Sequence, residues 1–399
     1  MPTHNSGNNG HILRTLDDLP IDGKRVIVRV DFNINVGTDG VIDENEDYRI
    51  EAALPTIYEL QQRRCKVLVL THLGRPGEED GNFDVTPIRH RFEDLLKEDV
   101  RELAKLSGNG VEAVVTSMEP GSVAMYPNIR IEDREMSVNQ RFGQELAAVA
   151  EAYVNEAFSV SHRTHTSVAL LPQLLPSCAG RRTTMEVEKL LKLKRNPQHP
   201  YVAIVSGAKI TTKVGMLRQL LAKVDTLCVG GQIGNVFVAA KGLWKHHPFD
   251  VDEIVVAKAI LDAAGGKLLI PVDVVIGGSK GENKQVVSVD QIPEDAGGLW
   301  DIGPQSTQAI INACSTAKSV MWNGPLGMFE VEAYADSTHQ LVTELSKMSA
   351  YRVVGGGDTA HALELYRATK KYDHVSVGGG AMVAFLEGKR MPGLEPLMS

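Results

Sequence analysis

No apolar run in the 399 residues approaches the length needed to cross a bilayer, so no membrane-spanning helix is expected. The four cysteines, Cys65, Cys178, Cys228 and Cys314, stand far apart and form no CxxC pair. That excludes a zinc ribbon or a thioredoxin-like motif, and the thiols read as small buried hydrophobes in a reducing, cytoplasmic setting. Two nucleotide signatures are also missing. There is no GxxxxGK[ST], so a P-loop is excluded, and no strand runs into GxGxxG with an acidic residue about twenty positions on, which disfavours a nicotinamide dehydrogenase. A formal charge of −8 argues against a general nucleic-acid binder. Residues 1–10, MPTHNSGNNG, hold no Lys, no Arg and no apolar block; they support no leader peptide and read as a short tail. Nothing repeats or forms a coiled coil, which leaves a structural role without support.

What is present is a rhythm of short apolar strands and amphipathic helices, the signature of βα units around a mostly parallel sheet. The length suits two domains, and the composition, 23% charged and 43% hydrophobic, is that of a globular chain. In the first half the strand candidates are 25–32, 66–73, 112–116, 122–126 and 153–158. Helices are expected over 49–64, with Pro55 predicting a kink or a later start, and over 137–152, opened by Ser137 and Gln140 at capping-box spacing. Prolines and glycine at 172, 176 and 180 then break the pattern ahead of a charged helix ending near Arg195. A second βα series starts at Tyr201. The fold expected is therefore α/β, two doubly wound parallel-sheet domains joined by a hinge helix. The bounds are 1–182 for the first domain, with 392–399 packing back on it, 183–197 for the hinge and 198–391 for the second.

Several strands of the second half end in glycine: VAIVSGAK (202–209), TLCVGG (226–231), SVMWNGPLG (319–327), YRVVGGGDTA (351–360) and HVSVGGG (374–380). Glycine lets backbone approach a ligand, and amides at the following helix start attract negative charge. Parallel strands would bring these ends to one sheet edge, where open α/β sheets bind ligands. Lys209 and Lys213, one helical turn apart, can neutralise a polyphosphate, Asp358 can hold a metal ion bridging phosphates, and Glu330 can take a ribose hydroxyl. Asp358 as a plain N-cap and Glu330 as a solvated carboxylate are the alternatives. The first half is equipped differently. Asp31, Asn33, Arg49, His72, Arg75, Arg130, His162, Arg163 and His165 stand at or just past strand ends. Converging arginines suit a small anionic metabolite, although each arginine alone reads more readily as a solvated surface residue. His162 and His165 lack the further ligands a zinc site needs.

Taken in order, RVDFN (29–33), DYRI (47–50), THLGRP (71–76), AFSVSHRTHTS (157–167), SGAKITTK (206–213), WNGPLGMFE (322–330), GGGDTA (355–360) and HVSVGGGA (374–381) closely resemble the phosphoglycerate kinase family. The resemblance covers nearly the whole chain. It implies reversible phosphoryl transfer from 1,3-bisphosphoglycerate to ADP, giving 3-phosphoglycerate and ATP, in a cytoplasmic monomer that uses Mg2+ and binds neither nucleic acid nor membrane. It assigns Asp31, Asn33, Arg49, His72, Arg75, Arg130 and Arg163 to the glycerate substrate. To the nucleotide it assigns Gly207, Ala208, Lys209, Lys213, Gly231, Asn323, Gly324, Pro325, Glu330, Gly355, Gly356, Gly357, Asp358 and Thr359, with Asp358 on the metal. Arg49, Lys209, Gly357 and Gly380 are assigned to the transfer step, for which the two domains would close. The chain departs from the family pattern at Asn35, Glu156, Ser159, Ser206, Gln232 and Val377, of which Gln232 and Val377 bear on nucleotide preference. A relative that binds without turnover is the alternative; loss of Arg49, Lys209 or Asp358 would have favoured it, and all three are present.

Overall fold

The computed structural model describes residues 13–37, 40–42, 46–74 and 83–398. The expected tail over residues 1–10 and Arg75 lie outside them. The chain forms two compact units: residues 1–188 with 390–399, and residues 189–389.

The first unit is built on a six-stranded sheet of β1 (Arg25–Arg29), β2 (Lys66–Leu70), β3 (Val100–Glu102), β4 (Val123–Met125), β5 (Ala152–Asn155) and β6 (Ser177–Ala179). Their spatial order is β3-β4-β2-β1-β5-β6 and every pairing is parallel. The period of two explains why such short segments hold. Val26 and Val28 of β1 point into one apolar layer with Val67 and Val69, while Ile27 points into the opposite one with Leu68 and Tyr153. Both faces are thus covered, as a doubly wound sheet requires. Residues 390–398 return to this unit, where Asn155 Nδ2 donates to the Gly393 carbonyl at 2.8 Å and Leu394 and Leu397 are buried.

The second unit carries a parallel sheet of β7 (Tyr201–Val205), β8 (Thr226–Val229), β9 (Leu268–Leu269), β13 (Ser319–Asn323), β14 (Tyr351–Gly355) and β15 (His374–Ser376) in the order β15-β14-β13-β7-β8-β9. A feature the sequence did not announce is a separate antiparallel sheet, β11-β10-β12, formed by β10 (Asp273–Ile276), β11 (Gln285–Ser288) and β12 (Leu299–Ile302).

Local departures have local causes. Residues 112–116, expected as a strand, lie in the helix Asn109–Ser117, where Val111 and Val115 fall one turn apart on its buried face. The segment 49–64 is two helices, Tyr48–Glu51 and Leu54–Gln62, with Pro55 in the first turn of the second, where its missing N–H costs nothing. The helix expected over 137–152 spans Gln140–Ala147 and is capped by Asn139, whose Oδ1 accepts from the Phe142 amide at 3.0 Å. The charged helix runs Arg181–Arg195, and the boundary between the units falls within it. It starts at Arg181 because Glu156 reaches its first turn, accepting from the amides of Arg182 at 2.9 Å and Thr183 at 3.1 Å.

Candidate functional site

In the first unit the loops after β1, β2 and β4 bring the predicted residues together. The Arg49 guanidinium donates to Asp31 Oδ2 at 2.9 Å, and Asp31 Oδ1 lies 3.9 Å from His72 Nε2. Asn33 Oδ1 accepts from the Gly74 amide at 2.9 Å, and Arg130 donates to the Gly74 carbonyl. Arg163 is exposed, and its charge acts on Arg130. Burial, then the charges of Arg29 and Arg163, pull the Arg130 guanidinium down to about 10. Burial also works against the Arg49 charge, but Asp31, Tyr48 and Glu46 outweigh it and raise its pKa. Among the described residues, four arginines (Arg29, Arg49, Arg130 and Arg163) act at this edge against the three carboxylates Asp31, Glu46 and Glu135. The Nε atoms of Arg49 and Arg130 are buried without a hydrogen-bond partner. An unmade bond from a buried charged donor costs about 1–3 kcal/mol, which an anion with several oxygens would recover.

Sequence reasoning missed the residues beneath this layer. Arg29, Glu135 and Ser167 are buried and joined to one another, directly or through a hydroxyl. A signal was available, since Arg29 directly follows the apolar run Val26-Ile27-Val28, and buried charges are kept only where they are paired. His165 packs beside them, its pKa lowered to about 4 by burial and then by Arg130, Arg29, Arg163 and His162.

In the second unit the glycine-rich ends of β7, β8, β13 and β14 converge because the strands are parallel and adjacent. A cavity of about 230 Å³ opens there. It gathers Gly207, Ala208, Gly231, Pro325, Glu330 and Asp358 from the predicted set, with Gln232 on its wall. Lys209, Asn323, Gly324, Gly355, Gly356, Gly357 and Thr359 are not on that wall, and exposed Gly380 starts the helix after β15. Gly324 has φ +94°, and a Cβ there would sit 2.3 Å from the Ser206 carbonyl oxygen, so only glycine lets these two loops meet. The side chains of Thr359 and Asn323 are buried and tie the loops to each other. Thr359 Oγ1 accepts from the Gly324 amide at 2.8 Å and donates to the Gly355 carbonyl at 3.1 Å, and Asn323 Nδ2 donates to the same carbonyl at 2.7 Å. Asn323 Oδ1 is left buried without a hydrogen-bond partner, so these two residues leave that acceptor and the loop backbone for a ligand.

Lys209 and Asp358 are exposed, at the ends of β7 and β14. Lys213 folds back onto the Ser206 carbonyl; burial brings its ammonium down to about 8, with Asp358 acting in the opposite direction. The far wall of the cavity, Leu299, Trp300 and Asp301, comes from β12 of the antiparallel sheet and was missed with it. The space thus has a glycine-lined end, with Lys213 Nζ beside Gly207, and a flank of Leu299, Trp300 and Met328, while the charged side chains on its wall are the carboxylates Asp301, Glu330 and Asp358. No group of three or more metal-ligand side chains occurs among the described residues.

Comparison with known proteins agrees with this layout. The phosphoglycerate kinase family model matches residues 16–389. A phosphoglycerate kinase of Pelotomaculum thermopropionicum is 37% identical over 392 residues, covering 96% of this chain and 99% of that protein. One of Herpetosiphon aurantiacus is 38% identical over 391 residues, covering 96% and 98%. Among solved structures, phosphoglycerate kinase from Coxiella burnetii superposes with a TM-score of 0.83 at 32% identity over 96% of this chain and 98% of that one. The enzyme from Pyrococcus horikoshii OT3 gives 0.87 at 26%, with the same coverage. With one family's model spanning both sheets and both strand-end clusters, the chain belongs to the phosphoglycerate kinase family.

Proposed function

We propose that the chain transfers a phosphoryl group reversibly between 1,3-bisphosphoglycerate and ADP, the first unit holding the glycerate and the second the nucleotide. The observation that carries this reading is the under-neutralised arginine cluster, with the Arg49 and Arg130 Nε atoms buried and unpartnered. Arg49, Arg130 and Arg163 bind the phosphate and carboxylate oxygens, and Asn33 and Asp31 orient the glycerate hydroxyl and Arg49. Arg75, three residues after His72 in THLGRP, belongs with them by sequence.

In the direction of acyl phosphate formation, a carboxylate oxygen of 3-phosphoglycerate attacks the terminal phosphorus of ATP. A new O–P bond forms as the bond to the ADP oxygen breaks. The carboxylate is ionised at pH 7, so no general base is needed. Catalysis rests on positioning and charge: Lys209 and Arg49 stabilise the moving phosphoryl, and amides of Gly357 and Gly380 hold its oxygens. Lys213, the glycine loops at 207, 231, 324 and 355–357, and the Ala208, Asn323, Pro325 and Thr359 backbone receive the nucleotide, with Glu330 on its ribose. Mg2+ fits Asp358, an exposed carboxylate beside a phosphate-binding loop, because this ion is held by one or two carboxylates together with substrate phosphates. When bound, it neutralises phosphate charge. The enzyme acts as a cytoplasmic monomer.

The test is the rate of 3-phosphoglycerate phosphorylation by ATP, with the acyl phosphate continuously removed, in wild type and Lys209→Ala. The expected result is a magnesium-dependent rate that drops by roughly 10²–10³ in the variant. Binding of both ligands without turnover would instead establish a binding module and direct attention to Gln232 and Val377.

A further inference from the structure

Arg29, the last residue of β1, is the most deeply buried cation among the described residues of the first unit, 1% exposed, and all three of its nitrogens are engaged. Nε donates to Ser167 Oγ at 3.0 Å, Nη1 to the Val30 carbonyl at 2.6 Å, and Nη2 reaches His72 Nδ1 at 3.3 Å. It is therefore held inside the protein rather than offered to a ligand. Behind it, Ser167 Oγ donates to Glu135 Oε1 at 2.7 Å and the Ser167 amide donates to Glu135 Oε2 at 2.8 Å. The order of donors in this chain is forced. Ser167 spends its single hydroxyl hydrogen on a carboxylate, so its lone pairs face Arg29, and a guanidinium has only donors to offer.

We propose that Arg29 is a positioning residue for the reaction: it locks the His72 ring as its Nε2–H tautomer, which turns the ring's one N–H toward Asp31 and the anionic substrate. This rests on the reading of the first unit as the glycerate site. Facing Arg29, Nδ1 can only accept, so the proton of the neutral ring must lie on Nε2, whose nearest carboxylate oxygen is Asp31 Oδ1 at 3.9 Å. A second proton on Nδ1 would set N–H against N–H. The groups around the ring act the same way. Arg29 of β1, Arg49 of the helix Tyr48–Glu51, Arg130 beyond β4 and His165 beyond β5 surround it, against Asp31 alone among the described carboxylates within 4 Å. Burial first, then those charges, holds the His72 pKa well below its ordinary value. His72 is thus a donor of fixed direction that does not titrate where histidine ordinarily does.

The test uses full-length, 15N-labelled protein and long-range proton–nitrogen spectra of the imidazole rings, with His72 assigned by the signals lost in His72→Gln. In wild type the expected pattern is a protonated Nε2 and an unprotonated, accepting Nδ1 across about pH 5 to 8. In Arg29→Gln, whose amide can accept as well as donate, the ring should begin to titrate or to mix tautomers. KM for 3-phosphoglycerate should then rise about tenfold, with kcat changing less, and Arg29→Lys, a donor only, should restore part of it. A wild-type ring protonated at Nδ1, or titrating within that range, overturns the proposal and requires no variant to fold. Folded Arg29→Gln with unchanged His72 signals also overturns it. The expected tautomer with no response to added 3-phosphoglycerate overturns the glycerate reading, and with it the link to the reaction, while leaving the lock itself in place.

Discussion

Lys213 carries an ammonium that burial has brought from 10.5 to about 8, and the direction of that change determines two behaviours. Between about pH 8 and 10.5 the unfolded chain binds more protons at this residue than the folded one, so its contribution to stability rises with pH across that window. Nucleotide binding works the other way, because phosphate oxygens favour the charged form. We expect ADP binding near pH 8.5 to take up a proton and to weaken as pH rises further. Calorimetry in two buffers of different ionisation heat reads this directly; identical heats would rule it out. Gly324 gives a second prediction. A methyl placed 2.3 Å from the Ser206 carbonyl oxygen, at φ +94°, must push apart the loops after β7 and β13. Gly324→Ala should lose about 2 kcal/mol or more of stability in urea melts, together with nucleotide affinity. At this scale the charged and glycine residues at strand ends were legible from their order along the chain. Glu135 and Ser167 were not, because a buried polar network leaves no period and each lies more than a hundred residues from Arg29.

The helix Arg181–Arg195 shows how an element's start can be set from elsewhere in the chain. Its first amides are satisfied by Glu156, which follows β5, and Gly180 makes room, since a Cβ there would lie 2.2 Å from Glu156 Oε2. Thr56 completes the arrangement, donating to Glu156 Oε1 at 2.5 Å and accepting from the Arg181 amide at 2.8 Å. Glu156→Ala should cost about 1–2 kcal/mol by loss of a cap. Burial raises the Glu156 carboxyl from 4.5 to about 7, against the opposing pull of Thr56 and the two amides. The folded state then binds more protons than the unfolded state between those values, so this group's contribution to stability falls as pH rises through them. Asp301, also raised to about 7 by burial, adds a slope of the same sign. The informative quantity is therefore the difference: from about pH 4.5 to 7 stability should fall less, or rise more, with pH in Glu156→Gln than in wild type, and parallel curves would refute the assignment. Nothing in the motif NEAFS announces a cap 26 residues downstream. The antiparallel strands were illegible for another reason. β11 is largely exposed and β10 and β12 are four residues each, too short for a period to separate from loop.

At the scale of the molecule, the alternation of strand and helix was enough to foresee two parallel sheets, because β-branched runs buried on both faces read as continuous apolar blocks. Two cores also mean that unfolding need not be a single step, so melts should be followed with a probe in each unit. Removal of residues 390–399 should affect the first unit selectively. It strips out Leu394 and Leu397, 2% and 0% exposed, and the acceptors that Arg14 and Asn155 use at Pro396 and Gly393. A loss on the order of 4 kcal/mol from the two leucines alone is expected in that unit's transition, at about 2 kcal/mol each. An unchanged first transition would show that the segment does not contribute to that core.

The return of this segment also has a consequence for biosynthesis. About 200 residues of the second unit separate the helix Arg181–Arg195 from Met391, and at 5–20 residues per second a ribosome needs on the order of 10–40 s to make them. For that interval the earlier unit waits with the places of Leu394 and Leu397 open to solvent, while the later one is still being made. The half of the protein translated first is thus the last to be finished, and during those seconds its exposed apolar surface is where a chaperone would bind.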